Sequence, residues 1–161
     1  MNYSKMAKRK TLSQWRWMLR IMGWWYIPLI GYVRPKLESI DDQKAVLSIR
    51  LRRRTRNHLR SMYFGSLAVG ADVAAGLHAF YFSEELGVKP SFVFKSMQAT
   101  FHKRAMSTVY FTSNEGVKVK ELVLLAQQTG ERQNMFVTVE ATSDGESVAT
   151  FQMEISVKVK S

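Results

Sequence analysis

Several classes of chemistry are excluded by what this sequence lacks. The 161 residues contain no cysteine, so disulfides, thiolate metal sites and thiol nucleophiles are excluded. The three histidines lie far apart without ligand spacing, so we predict no metal site. There is no glycine-rich phosphate-binding loop of the Walker or dinucleotide type. Ser61 and Ser66 lack the Gly-x-Ser-x-Gly context of a serine nucleophile.

Long apolar runs are also lacking. The longest uncharged stretch in the first part of the chain is residues 21–33, which Pro28 interrupts. Because a bilayer span needs about twenty apolar residues, we do not expect this stretch to cross a membrane. Nor do we expect a secretory signal, since no small-x-small cleavage site follows it. We predict a cytoplasmic protein of one domain, because 161 residues with 46% hydrophobic content can build one core.

Acidic residues are scarce in the first part of the chain. Residues 1–60 carry fifteen Lys/Arg against three Asp/Glu, whereas residues 61–161 carry nine against ten. An excess this local is typical of a polyanion-binding surface, although a solvated basic surface has the same composition. No helix-turn-helix, RNP or zinc-finger pattern is present, so we expect no sequence-specific nucleic-acid binding.

A buried helix is predicted over residues 65–82, and Asp72 is its only charged residue. A lone carboxylate among apolar residues costs several kcal/mol unless it is hydrogen-bonded. Burial raises the pKa of a carboxyl group, and general bases are commonly built in this way. Asp72 is therefore the first candidate for catalysis.

The same helix is thin and begins at a second candidate site. Gly70 and Gly76 reduce its helix propensity, but they allow close approach of a sheet, another backbone or a flat ligand. At the start of the helix, near Gly65, the first N–H groups have no intrahelical partner and can stabilise an oxyanion. Asp72 lies seven residues further on, roughly 10 Å along the axis. This separation favours a two-fold dimer in which one helix start meets the partner's Asp72.

The motif around this helix resembles a known family. Asn57, five further residues, Tyr63-Phe64-Gly65 and then Asp72 are similar to the signature of hotdog-fold acyl-CoA thioesterases of the phenylacetyl-CoA type. That signature has Asn, five residues, His-Gly-Gly, and an Asp seven residues after the second Gly. Residues 12–160 also resemble a branch of the same superfamily with an N-terminal aromatic helix.

The resemblance implies roles for the motif residues. Asp72 would be the general base or nucleophile, the N–H groups of Phe64 and Gly65 the oxyanion donors, and Asn57 would place the water or the thioester. Two positions depart from the signature: Tyr63 replaces His, and Phe64 replaces the first Gly. The N–H of a phenylalanine can still donate a hydrogen bond to an oxyanion, but the phenylalanine side chain narrows the path by which a substrate reaches it. A non-catalytic acyl-thioester binder is therefore the alternative to a thioesterase, and a basic membrane-surface or nucleic-acid-binding protein acting through residues 1–60 is a third.

The implied substrate is an acyl-CoA or an acyl-carrier thioester, and no cofactor is expected beyond the coenzyme A part of the substrate. Arginine side chains bind phosphates well. Those near the motif therefore either contact the phosphates of coenzyme A or form a solvent-exposed rim. The candidate substrate-binding residues are Arg54, Arg56, His58, Tyr63, Lys103 and Arg104. We expect a homodimer or a dimer of dimers.

The N-terminal part of the chain is predicted to be partly helical. Residues 1–10 are basic and are expected to be flexible, and residues 11–161 to form one hotdog domain. Within it, residues 11–33 form a helical segment whose first helix is capped by Thr11 and reaches Gly23. Such an aromatic, basic helix covers a sheet end or a dimer seam, or it docks on an anionic membrane surface.

The rest of the chain predicts an α+β fold. Alternating or β-rich segments predict strands, and helical spacing predicts a second helix over residues 114–129, opened by a capping box at 112–115 and stopped by Gly130. The predicted strands are residues 45–54, 91–102, 105–113, 133–142 and 146–159. The second and third surround a turn at Lys103-Arg104, and the last two form a hairpin at 143–145. The resemblance implies an antiparallel sheet wrapped around the long helix, with an extra N-terminal helix.

Overall fold

The computed structural model describes residues 9–160. Most of the predicted flexible segment, residues 1–8, lies outside the described residues. The helices are α1 (Leu12–Ile21), α2 (Pro28–Val33), α3 (Phe64–Glu85) and α4 (Gly116–Thr129), with a π-helical turn at Met22–Tyr26 between α1 and α2. The strands are β1 (Lys36–Ile40), β2 (Ala45–Ile49), β3 (Lys89–Phe101), β4 (Val109–Ser113), β5 (Gln133–Ser143) and β6 (Glu146–Lys160).

The six strands form one antiparallel sheet in the order β1-β2-β4-β5-β6-β3. The long helix α3 packs against five of them, β2 to β6. The strict alternation in β6 buries its odd-numbered residues from Ala149 to Val159. The β5–β6 hairpin turns at Asp144-Gly145, where both residues have positive φ, 51° and 78°. The α+β prediction, with an antiparallel sheet around a long helix, is confirmed.

Glycines bring α3 close to the sheet. A Cβ atom on Gly70 would lie 2.4 Å from the ring of Phe111 on β4, and one on Gly76 would lie 3.2 Å from Phe92 on β3. Ala71, on the same helix, is fully buried. Of the alternatives left open for the thin helix, packing on the sheet therefore accounts for these two glycines.

The N-terminal helical segment forms a hairpin. Thr11 caps α1 in a capping box with Gln14: the Gln14 N–H donates to Thr11 Oγ1 (3.3 Å), and the Thr11 N–H donates to Gln14 Oε1 (2.8 Å). Beyond α1 the chain does not stop at Gly23 but continues through the π-helical turn. Gly23 and Gly31 let this turn and α2 pack backbone against backbone, since a Cβ on either would overlap the other. No helix among residues 9–160 is long and apolar enough to cross a membrane.

The strand predictions need three corrections, which concern one boundary, one pairing and one missing strand. The strand predicted at 45–54 ends at Ile49, because Thr55 closes a turn: its hydroxyl donates to Arg50 O (2.8 Å) and accepts from Arg52 N–H (2.9 Å). The strands predicted at 91–102 and 105–113 do not pair with each other. They are β3, at the edge of the sheet beside β6, and β4, between β2 and β5. Strand β1 was not predicted at all.

Helix α4 begins without the predicted capping box. The Glu115 carboxylate instead accepts a hydrogen bond from the N–H of Thr138 on β5 (2.6 Å), which ties the helix start to the sheet. At the other end, Gly130 stops the helix in the left-handed conformation, with φ 68°, as predicted.

Candidate functional site

Asp72 lies near the middle of α3, and its partly buried side chain faces a pocket between the helix and the edge of the sheet. The pocket has a volume of about 270 Å³. Its lining residues are Asp72, Phe94, Lys95, Ser96, Met97 and Met153. The carboxyl group therefore borders an apolar depression that opens next to β3, the edge strand that pairs with β6.

A β-bulge shapes the wall of this pocket. The register between β3 and β6 shifts between Phe94 and Ser96, so Lys95 is the extra residue. The extra residue shifts the alternation of the two strand faces by one position. As a result, buried residues of β6 pair with both Phe94 and Met97, although these two lie three positions apart. Bulges of this kind are common next to binding sites, where they redirect a side chain.

The polar residues of the bulge are engaged elsewhere. Ser96 Oγ donates to Glu154 Oε2 (3.1 Å), and Lys95 Nζ lies 4.0 Å from Glu154 Oε1. Within residues 9–160, no hydrogen bond or ion pair reaches the carboxylate of Asp72. Burial alone raises the pKa of Asp72 from 3.8 to about 6. At neutral pH this carboxylate is ionised, unpaired and more basic than an ordinary Asp.

The start of α3 offers two N–H groups. The Tyr63 N–H donates to Thr55 O (2.8 Å), and the N–H of Ser66 donates back to Tyr63 O (2.9 Å). Between them, the N–H groups of Phe64 and Gly65 have no acceptor among the described residues. Two open donors at the positive end of a 22-residue helix can bind an oxyanion.

Two aromatic side chains lie at this helix start. The side chains of Tyr63 and Phe64 are both about half exposed, and their rings lie 4.8 Å apart. A Cβ on Gly65 would lie only 2.6 Å from Cε1 of Tyr63. Since the Tyr63 ring lies directly against Gly65, access to the two N–H groups is narrowed on one side.

The side chain of Asn57 organises the loop before α3. Its Oδ1 accepts from the N–H of Leu59 (2.9 Å) and of Ser61 (3.2 Å), and its Nδ2 donates to Ser61 Oγ (3.0 Å). The loop is closed by a bridge between Arg56 and Met62. Asn57 thus fixes the turn that leads into the helix start, and in this chain its amide is occupied by that turn.

The predicted substrate-binding residues lie in the chain that leads to this helix start, or in the segment that contacts that loop. Arg54 is partly buried, whereas Arg56 and His58 are exposed. The Met62 N–H donates to Ala105 O (2.9 Å), which brings the exposed segment with Lys103 and Arg104 next to this loop. Lys103 forms an ion pair with Glu146, and the arginines of the loop have no ion-pair partner within the described range.

The structure therefore divides the predicted residues into two groups. One contains the helix start with its loop, and the other contains Asp72 alone, since no other predicted site residue lines the Asp72 pocket. The residues missed from the sequence are those of β3 and β6 that line it. The sequence does contain a signal for them. Large apolar residues alternate at Phe92 and Phe94, but the next one is Met97 rather than residue 96. A shift of the alternation by one residue is what a β-bulge produces.

The part of the chain that the structure describes contains no group of three or more His, Asp or Glu side chains placed to hold a metal ion. His78, the histidine nearest Asp72 in sequence, is fully buried on α3, and its Nε2 lies 2.9 Å from Asp41 O. Its structural role agrees with its position well round the helix from Asp72.

Comparison by sequence gives one family. Residues 15–159 match the family model described as "Domain of unknown function (DUF4442)". Comparison with curated proteins found no match.

Comparison by structure gives the fold. A candidate thioesterase from Shewanella oneidensis is similar over 91% of this chain and 99% of its own, with a TM-score of 0.79 and 16% identity. A protein of unknown function from Chlorobaculum tepidum is similar over 94% and 99%, with a TM-score of 0.82 and 12% identity. A thioesterase from Haemophilus influenzae is similar over 97% and 96%, with a TM-score of 0.68 and 11% identity. At these identities the likeness establishes the hotdog fold expected from the motif.

Proposed function

Because this chain belongs to the DUF4442 family and has the hotdog fold, we propose that it hydrolyses an acyl thioester with Asp72 as general base or nucleophile. The observation that carries the proposal is the state of Asp72. Its carboxylate has no hydrogen-bond or ion-pair partner among residues 9–160 and lies beside an apolar pocket, and its pKa is raised to about 6. A structural carboxylate in that position would be expected to have a hydrogen-bond or ion-pair partner.

The proposed chemistry uses only groups of this chain and water. Asp72 takes a proton from water as the oxygen of that water attacks the thioester carbonyl carbon. The carbonyl oxygen becomes an oxyanion, which the N–H groups of Phe64 and Gly65 stabilise. When the C–S bond breaks, the proton on Asp72 passes to the leaving thiolate, and the acid and the free thiol are released. In the nucleophilic variant Asp72 attacks the carbonyl carbon itself, the C–S bond breaks, and the thiolate leaves a mixed anhydride behind. Water then hydrolyses this anhydride, which restores the Asp72 carboxylate, releases the acid and supplies the proton that the thiolate takes up.

The proposed substrate is an acyl-CoA or an acyl-carrier thioester. Phe94, Met97 and Met153 give the pocket an apolar wall for the acyl group, and methionine adapts to chains of different shape. The basic loop with Arg54 and Arg56 would contact the phosphates of the carrier arm.

The proposed site is completed by a second copy of the chain. Asp72 and the helix start lie two helical turns apart, roughly 10 Å, which is too far for both to reach one carbonyl group. The edge strand β3 supports the dimer, because Met97 and Phe101 lie in register with buried residues of β6 and yet are about half exposed. Apolar side chains exposed along an unpaired strand edge favour pairing with another copy.

The second candidate function is acyl-thioester binding without hydrolysis. The position of Tyr63 favours it, because its ring lies against Gly65 beside the proposed oxyanion donors. If that ring keeps the carbonyl oxygen away from the N–H groups, the pocket would hold a thioester that is not cleaved.

The test is hydrolysis of a panel of acyl-CoAs by the wild-type protein, Asp72→Asn and the control Glu121→Gln. Glu121 is an exposed carboxylate on α4, outside the pocket. We expect turnover by the wild type and the control, and a roughly 10²- to 10⁴-fold lower kcat for Asp72→Asn. Binding by the wild type without release of free thiol would contradict the enzyme and support the binder. Equal activity of Asp72→Asn and the wild type would remove Asp72 from the mechanism.

A further inference from the structure

An uncharged, exposed segment lies at the tip of the N-terminal helical hairpin. Residues 24–29, here called the aromatic tip, have the sequence Trp-Trp-Tyr-Ile-Pro-Leu, and all six are exposed. The exposed fractions of Trp24, Trp25 and Tyr26 are 81%, 78% and 79%. A contiguous apolar surface of this kind marks an interaction site, because it is costly to leave in water.

The hairpin that carries the tip is firmly attached to the domain. Trp15 and Leu19 of α1 and Ile30 and Val33 of α2 are buried in the core. The aromatic side chains therefore project from a fixed support.

The backbone at the tip bonds to itself. The Ile27 N–H donates to Met22 O (2.8 Å), the Ile30 N–H donates to Ile27 O (3.0 Å), and Pro28 has no N–H to satisfy. A helical turn with internal hydrogen bonds can leave water at a lower cost than an irregular loop, whose polar groups would be unpaired.

Positive charge flanks the tip on both sides. Arg20 precedes it and Arg34 follows it; both are exposed, and neither has an ion-pair partner within residues 9–160. No acidic residue occurs before Glu38, whereas eight Lys/Arg do. Trp and Tyr flanked by cations are typical of the boundary between lipid headgroups and acyl chains.

We propose that the aromatic tip docks this protein on an anionic lipid surface. Trp24, Trp25 and Ile27 enter the headgroup–acyl boundary, and Arg20 and Arg34 lie at the level of the lipid phosphates. A second copy fits less well, because a two-fold contact centred on the tip would bring two Arg20 and two Arg34 side chains together. The proposal does not depend on hydrolysis, so it can fail or succeed independently of the proposed function.

The test uses the full chain and sedimentation with vesicles of phosphatidylcholine containing phosphatidylglycerol, and with vesicles of phosphatidylcholine alone. The variant is Trp24→Ser/Trp25→Ser, and the control is Phe136→Ser, which removes an exposed aromatic side chain on β5, away from the tip. We expect the wild type and the control to bind the anionic vesicles, and the variant to bind them at least about tenfold more weakly. Unaltered thermal unfolding would verify the folding of both variants.

Two further measurements separate the lipid surface from other occupants. Acyl-chain-brominated lipid should quench the tryptophan fluorescence of the wild type, and Arg20→Gln/Arg34→Asn should weaken binding to anionic vesicles; asparagine is chosen because residue 34 has φ 58°. Absence of vesicle binding by the wild type would overturn the proposal. So would a lower oligomeric mass of Trp24→Ser/Trp25→Ser in light scattering without any effect on vesicle binding, since the tip would then be a subunit contact.

Discussion

At the scale of single residues, the surroundings of Asp72 differ from those of Asp41 and Asp42. Asp41 accepts two backbone N–H groups and Asp42 pairs with Arg9, and these contacts lower the pKa of both carboxyl groups. Asp72 is partly buried and has no such contact among residues 9–160. Its pKa is therefore raised, whereas those of Asp41 and Asp42 are lowered. The fold thus loses stability at this position, and such a loss is expected where a carboxylate serves chemistry.

This difference predicts a gain in stability when Asp72 is neutralised. Because the pKa of Asp72 is about 6 in the folded chain and near 3.8 when unfolded, the folded state binds more protons between these values. Its free energy of unfolding therefore falls as pH rises through this window. At pH 7 we expect Asp72→Asn to raise the free energy of unfolding by about 1–2 kcal/mol, after discounting for partial exposure. We expect the gain to shrink as the pH falls from about 6 to about 4, because Asp72 is neutral in both states below that pH.

Urea unfolding of the two proteins at a series of pH values measures this effect, with Glu121→Gln as the control, for which we expect no comparable gain. A destabilised Asp72→Asn at pH 7 would mean that the carboxylate has a stabilising partner and would contradict the site.

At the scale of elements, the distance between α3 and the sheet is set by two glycines that differ in their surroundings. The place of a Cβ on Gly70 is taken by the ring of Phe111, which is fully buried. The place of a Cβ on Gly76 is 3.2 Å from the end of the Phe92 side chain, which is only partly buried and can move.

Gly70→Ala and Gly76→Ala should therefore differ in their effect on the free energy of unfolding. Alanine adds helix propensity at both positions, about 1 kcal/mol. At position 70 the overlap with Phe111 outweighs this gain, and we expect a net loss of about 1–3 kcal/mol in the free energy of unfolding. At position 76 we expect little change or a small gain. Equal losses for the two variants in urea unfolding would contradict the packing of α3 described above.

The elements also show what can be read from the sequence. Helix α3, helix α4 and the β5–β6 hairpin were predicted because their periodicity and their turn residues act locally. The pairing of β3 with β6, and the bulge at Lys95 that shapes the pocket, depend on contacts between residues far apart in the chain. Asp72 could be singled out because one charge in an apolar helix is a local signal, but the residues facing it could not.

At the scale of the whole molecule, the proposed site is divided between the start and the middle of one helix, α3. The Asp72 pocket opens beside the exposed edge of β3, while the donors of Phe64 and Gly65 lie beside the basic loop. In the proposed two-fold dimer the helix start of one copy would lie beside Asp72 of the other, and the same symmetry would form two equivalent sites.

Subunit mixing tests this central claim most directly. Phe64→Pro removes one donor at the first position of α3, where proline is well tolerated and where Tyr63 already has the extended conformation that precedes proline (φ −66°, ψ 137°). Alone, Asp72→Asn and Phe64→Pro should each hydrolyse acyl-CoA poorly. Unfolded together and refolded as a mixture, they should regain about a quarter of wild-type activity, because half of the dimers would be mixed and each mixed dimer would have one intact site. A mixture no more active than its two components, although light scattering shows that mixed dimers form, would contradict a site shared between subunits.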